Sequence, residues 1–100
     1  MRIDGESKGV PAMQILYVRC RVSRGFFGSE FYVVVGDSSA FVDERNVKVE
    51  QAPAKGQEVD GSVLAYLVRE EDQRALVELP GQAVVGGLRT WVPRETLASA

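Results

Sequence analysis

From Leu16 the chain alternates cleanly: Leu16, Val18, Cys20 and Val22 fall on one side of an extended strand, and Tyr17, Arg19 and Arg21 on the other. This period of two predicts a half-buried strand with Cys20 on its inner face. Ser23, Arg24 and Gly25 break the period, and Phe26 and Phe27 follow in a loop bounded by Gly25 and Gly28. Residues 30–35, EFYVVV, are β-branched or aromatic and apolar on both faces, which predicts a strand that is central or covered by a partner subunit. A turn at 36–39, a short strand at 40–42, a tight turn at 43–46 and a strand at 47–49 complete the first half.

The second half repeats the style. Residues 63–68 are a near-continuous apolar run, 69–73 a polar reversal and 74–79 a returning strand ended by Pro80 and Gly81. Residues 82–87 read as a loop carrying Val84 and Val85 back over the sheet; a short strand at 90–92, a turn at 93–96 and a closing contact from Leu97 follow. FYVVVGD (31–37) parallels ALVELPG (75–81), and FVDERNV (41–47) parallels WVPRETL (91–97), as a tandem half-repeat would. The organisation expected is a flexible N-terminal arm at 1–12, a first β unit at 13–50, a linker at 51–61 (QAPAKGQEVDG) and a second β unit at 62–100. No segment sustains a helical period, so the fold class expected is all-β, with the two halves packed as one unit.

The ending GGLRTWVPRETL is similar to the closing stretch of Src-homology-3-like barrels, where an aromatic strand, a Pro and a 3₁₀-type turn lead into the last strand. The resemblance is architectural; it covers residues 59–100 best and 14–50 more loosely. It implies a small barrel and, as candidate ligand-facing aromatics, Tyr66, Trp91 and Pro93. The Ala-Leu-Tyr-Asp-Tyr run and Trp pair of the peptide-binding version are not present, so the resemblance does not extend to proline-peptide binding.

Composition narrows the chemistry. The chain has 100 residues, 45% of them hydrophobic and 26% charged, as expected of one modest globular core. It contains no histidine and one cysteine, which excludes disulfide frameworks, His/Cys zinc sites and imidazole-based catalytic triads. No apolar run approaches the roughly 20 residues of a membrane span, and MRIDGESKGVPA has no apolar signal core, so a cytoplasmic protein with no membrane contact is expected. The net charge of −2 argues against wholesale wrapping of nucleic acid and leaves room only for a local basic patch.

That patch is sought where cations and aromatics meet: Tyr17, Arg19 and Arg21 on one strand face, with Arg24, Phe26 and Phe27 beyond. Arginines interleaved with aromatics track phosphates and stack bases in small barrels. Glu70, Glu71 and Asp72 read as a solvated hairpin tip, so no metal site is assigned, and no glycine pair has the context of a phosphate loop. No catalytic residue and no cofactor are assigned. The function expected is a non-enzymatic binding or assembly module, a homo-oligomer with an unidentified protein partner. Its interface uses Tyr32, Val34, Val84 and Val85, which a chain this short leaves uncovered. The alternatives are a nucleic-acid-binding barrel on the Arg/aromatic face and an oligomeric enzyme with its site at a subunit junction.

Overall fold

A computed structural model describes residues 14–100; the arm assigned to 1–12 lies outside the described residues. Two long strands organise the rest, β1 (Gln14–Arg24) and β5 (Val59–Glu70), joined antiparallel over nine residue pairs from Gln14↔Leu67 to Val22↔Val59. Leu16, Val18, Cys20 and Val22 are buried, as the period-two pattern requires, while Arg19, Arg21 and Arg24 are exposed and Tyr17 is half-buried.

Each long strand has two neighbours in succession along its other edge. On β1, the short β9 (Leu97–Ser99) pairs at Leu16–Val18, and β2 (Glu30–Val35) pairs at Arg21–Arg24. On β5, the two-residue β4 (Val47–Lys48) pairs at Ser62 and Val63, and β6 (Arg74–Glu78) pairs from Tyr66 to Glu70. Thus the first half ends on the second half's long strand, and the second half ends on the first's. The hairpins continue outward into β3 (Ser38–Asp43), paired with β2, and β8 (Arg89–Pro93), paired with β6. A 3₁₀ turn then returns each to the centre: Glu44–Asn46 into β4, where the Asp43 side chain accepts the Arg45 N–H at 2.9 Å, and Arg94–Thr96 into β9. The result is a curled, all-antiparallel half-barrel sheet with no α-helix, and no helix long and apolar enough to cross a membrane, among the described residues.

One contiguous core fills the curl. Val18, Val22, Val33, Val63, Ala65, Ala75 and Val77 are fully shielded, and Phe31, Val35, Ala40, Val42, Leu79 and Val92 close it. Its β-branched residues suit a pleated, two-neighbour environment, and the small Ala40, Ala65 and Ala75 are fully buried among them. Gly61 serves the same end: a Cβ there would lie 2.7 Å from Val49 Cγ1 and 2.8 Å from both the Lys48 carbonyl oxygen and Val22 Cγ2, so only glycine lets β4 close onto β5.

The structure departs from the sequence reading in two places. β5 begins at Val59, four residues earlier than the apolar run, because Val59 and Gly61 pair with Val22 and Cys20 while Asp60 is held outside by Arg21. Residues 82–85, read as loop, form a strand, β7, on the open edge of β3. Trp91 is half-buried on the outer face, since its neighbours Thr90 and Val92 take the inward positions.

Candidate binding surfaces

The outer face of β1 carries the cations picked out from the sequence, in different electrostatic states. Arg21 is committed: its Nη1 lies 2.6 Å from Asp60 Oδ1 and its Nη2 3.1 Å from Glu58 Oε1, and these hydrogen-bonded carboxylates push its pKa further up. Arg19 meets no carboxylate among the described residues; its Nη2 donates at 3.3 Å to the backbone carbonyl of Glu95. Tyr17 is capped by Lys48, whose Nζ sits 4.1 Å from the ring centroid. Lys48 and Ser62 are the residues the sequence did not flag: β4 is two residues long, and nothing in its local pattern says that it lands on β5 opposite Ser62. Arg24 stands exposed at the far end of the strand.

The aromatics implied by the barrel resemblance do not converge on one place. Tyr66 is half-buried on β5, in the cross-strand row of Ile15 and Glu78. Trp91, on β8 opposite Leu76, lies beneath Arg74, whose guanidinium carbon is 3.9 Å from the ring centroid. Pro93 is beside it, in a shallow groove also lined by Gln73, Arg94 and Glu95. The acidic run at the β5–β6 tip is neutralised by arginines: Glu70 by Arg94 at 2.9 Å, and Glu71 by Arg74 at 2.8 Å.

Comparison with protein-family models, curated proteins and solved structures returns no match.

An apolar surface lies on the outer face of β2, β3 and β7. Tyr32 pairs with Phe41 across β2–β3, with ring centroids 5.4 Å apart, and Phe26 packs on the same Phe41 ring at 5.3 Å. In the next row Val34 stands opposite Ser39, and Ser39 opposite Val85. Thus Tyr32, Val34, Phe26 and Val85 share one face, although the sequence places Phe26 and Val85 in two separate loops. Phe41 joins them because β3 faces Val42 inward. The Phe26–Phe27 loop is a built turn: the Glu30 N–H donates to the Phe27 carbonyl at 3.1 Å, the Gly25 N–H to the Glu30 carbonyl at 3.2 Å, and Glu30 Oε1 accepts the Phe26 N–H at 3.2 Å. Held this way, Phe26 is 85% exposed and Phe27 71%, and on β7 Val84 is 48% and Val85 58% exposed.

Cys20 belongs to the core. Burial, with a smaller contribution from the Asp60 charge, pushes its thiol up from 9.0 to about 12. The folded state therefore keeps a proton that the unfolded chain loses, so stability present below pH 9 is lost as pH rises towards 12. Within that window wild type should lose up to about 1.4 kcal/mol per pH unit relative to Cys20→Ala, measured by urea unfolding at each pH. Parallel stability curves for the two proteins would contradict the buried thiol, as would rapid labelling of the native protein by a thiol reagent.

Proposed function

We propose that this protein is a non-enzymatic binding and assembly module that self-associates through the outer face of β2, β3 and β7. The observation that carries it is the display of Phe26 and Phe27 by an ordered turn beside two adjacent cross-strand rows, Tyr32 with Phe41 and Val34 with Ser39 and Val85. An aromatic side chain buries about 150–250 Å², so two mostly exposed phenylalanines offer on the order of 300 Å² per copy and about twice that across a two-fold axis. With the tyrosine, Phe41, Val34 and Val85 added, the face approaches the ~1,200 Å² at which specific interfaces begin. Its centre carries no charge, and Arg21, Glu30 and Asp43 lie at its margin, the distribution of an interface with a dry core and polar rim.

The two halves are further read as a tandem repeat of one Src-homology-3-like unit. Support comes from their matching order of long strand, hairpin, 3₁₀ turn and short strand, and from the neighbour runs β4-β5-β1-β2-β3 and β9-β1-β5-β6-β8. A single, buried thiol fits work in a reducing cytoplasm.

Sedimentation velocity at micromolar concentration tests the assembly. Wild type is expected as a dimer or larger ring, and Val34→Glu or Phe27→Glu as monomers with the β-type circular dichroism spectrum retained, a weakening of at least about 100-fold for a charge placed in a dry interface core. A monomeric wild type would reject self-association.

A further inference from the structure

We propose that the cross-strand row Arg19–Ser62–Lys48 binds the phosphate group of a small phosphomonoester. Arg19 on β1 and Lys48 on β4 are both register partners of Ser62 on β5, so three adjacent strands present an arginine, a hydroxyl and a lysine in one line on one face. Partners on neighbouring antiparallel strands lie about 4.5–5.5 Å apart at Cα, a spacing at which the two long cations reach over the hydroxyl between them and enclose a group the size of a phosphate.

The charge census singles this row out. Arg21, Arg45, Arg69, Arg74, Arg89 and Arg94 each have a carboxylate within 4 Å, whereas Arg19, Arg24, Lys48 and Lys55 have none among the described residues, and of these four only Arg19 and Lys48 stand in one cross-strand row. Two unneutralised cations held side by side repel, and a bound anion relieves that repulsion. Both are positioned without a carboxylate: Arg19 by the Glu95 carbonyl, which takes one of its five N–H donors, and Lys48 by the Tyr17 ring. Gly61 is the reason the row exists, since without its missing side chain β4 would not bring Lys48 beside Ser62.

The surroundings set the ligand class. An open groove of about 1010 Å³ runs from this row along Val49, Gln51 and Val59, giving room for an organic remainder. Glu50 and Asp60 line the same groove, and Asp60 is already held by Arg21. These carboxylates would repel the second and third phosphates of an extended chain, so the site suits one phosphate on a small molecule rather than a nucleic-acid backbone. The inference does not depend on self-association.

The test is a heteronuclear NMR titration of the full chain at low ionic strength with inorganic phosphate, ribose 5-phosphate, ribose and a short oligothymidylate. Saturable shifts are expected at the amides of Arg19, Lys48 and Ser62, with ribose 5-phosphate binding more tightly than inorganic phosphate and ribose not at all. Arg19→Gln and Lys48→Gln are each expected to weaken ribose 5-phosphate at least tenfold, the loss of one charge-assisted contact. Arg89→Gln, which removes a cation paired with Glu78, should change it less than twofold. Shifts that do not saturate, or equal weakening by Arg89→Gln, would overturn the site. Inorganic phosphate binding as tightly as the ester would overturn the small-ester assignment, and so would an oligothymidylate that binds more tightly than ribose 5-phosphate.

Discussion

Replacing Val63 by Asp is expected to unfold both halves of the chain together. Val63 is fully buried at the meeting point of the sheet: it pairs with Val18 on β1 on one side and with Val47 on β4 on the other, while Val18 itself pairs with Leu97 on β9. The substitution loses roughly 1.5–3 kcal/mol of apolar burial and adds a desolvated carboxylate costing several kcal/mol. That sum exceeds much of the 5–15 kcal/mol that holds a domain folded. The milder Val63→Ala should keep the fold and lower its melting temperature by about 8–16 °C, from about 2 kcal/mol at 4–8 °C per kcal/mol. Val63→Ala should melt in a single transition by circular dichroism and by Trp91 fluorescence, and Val63→Asp should lack both native signals, although Trp91 lies in the second half's hairpin and Val47 in the first half. Two separated transitions, or a native Trp91 signal in Val63→Asp, would show that the halves fold independently.

That expectation follows from the exchange of short strands, which the sequence did not reveal. Alternation exposed β1 residue by residue, EFYVVV was legible as a strand with two apolar faces, and both 3₁₀ turns fall where FVDERNV and WVPRETL placed turns. These are local signals, carried by side-chain periodicity within one segment. Which segment lies beside which is another matter: Val47 and Lys48 are too few to show a period, and Ser62, the partner of Lys48, directly follows the stretch 51–61 whose composition resembles a linker. Gly61 reads as a flexible residue in sequence and acts as a packing device in the fold, because its role depends on Val22 and Val49 from two other strands.

The candidate sites divide along the same line. Tyr32, Val34 and Val85 were identifiable as apolar side chains with no obvious cover, and the pairing of β2, β3 and β7 is what assembles them with Phe26 and Phe41. The Tyr17–Arg19–Arg21 face was legible as a row of outward residues. Its electrostatics were not, since Glu58 and Asp60 neutralise Arg21 from 37 and 39 residues away while leaving Arg19 without a carboxylate partner among the described residues. Long-range pairing thus turned a uniform basic strand face into one ion-paired arginine and one available cation.

β7 is the element whose position rests most on a single residue, and Gly81→Ala is expected to detach it. Gly81 has φ +109°, a conformation costing a side chain about 1–3 kcal/mol, and a Cβ there would overlap the Phe41 carbonyl and lie 3.3 Å from Val42 Cα. Both obstacles are backbone and cannot swing aside. The anchor before the turn is firm, with Leu79 buried and its N–H donating to the Leu88 carbonyl at 2.9 Å. The strand beyond is not: β7 has three register pairs with β3, all four of its residues are exposed, and Ser38 Oγ donating to the Gly86 carbonyl at 3.2 Å is its main side-chain tie. Releasing β7 therefore costs less than distorting β3, which carries buried Ala40 and Val42. Hydrogen exchange should show amide protection lost across 82–85 and on the facing edge of β3, with the β1–β5 ladder unchanged. Self-association should weaken at the same time, because Val85 leaves the face that Phe26 and Phe41 share. Protection of 82–85 equal to wild type would show that the turn tolerates a side chain, and loss of protection in β1 and β5 would show that β7 is integral to the core.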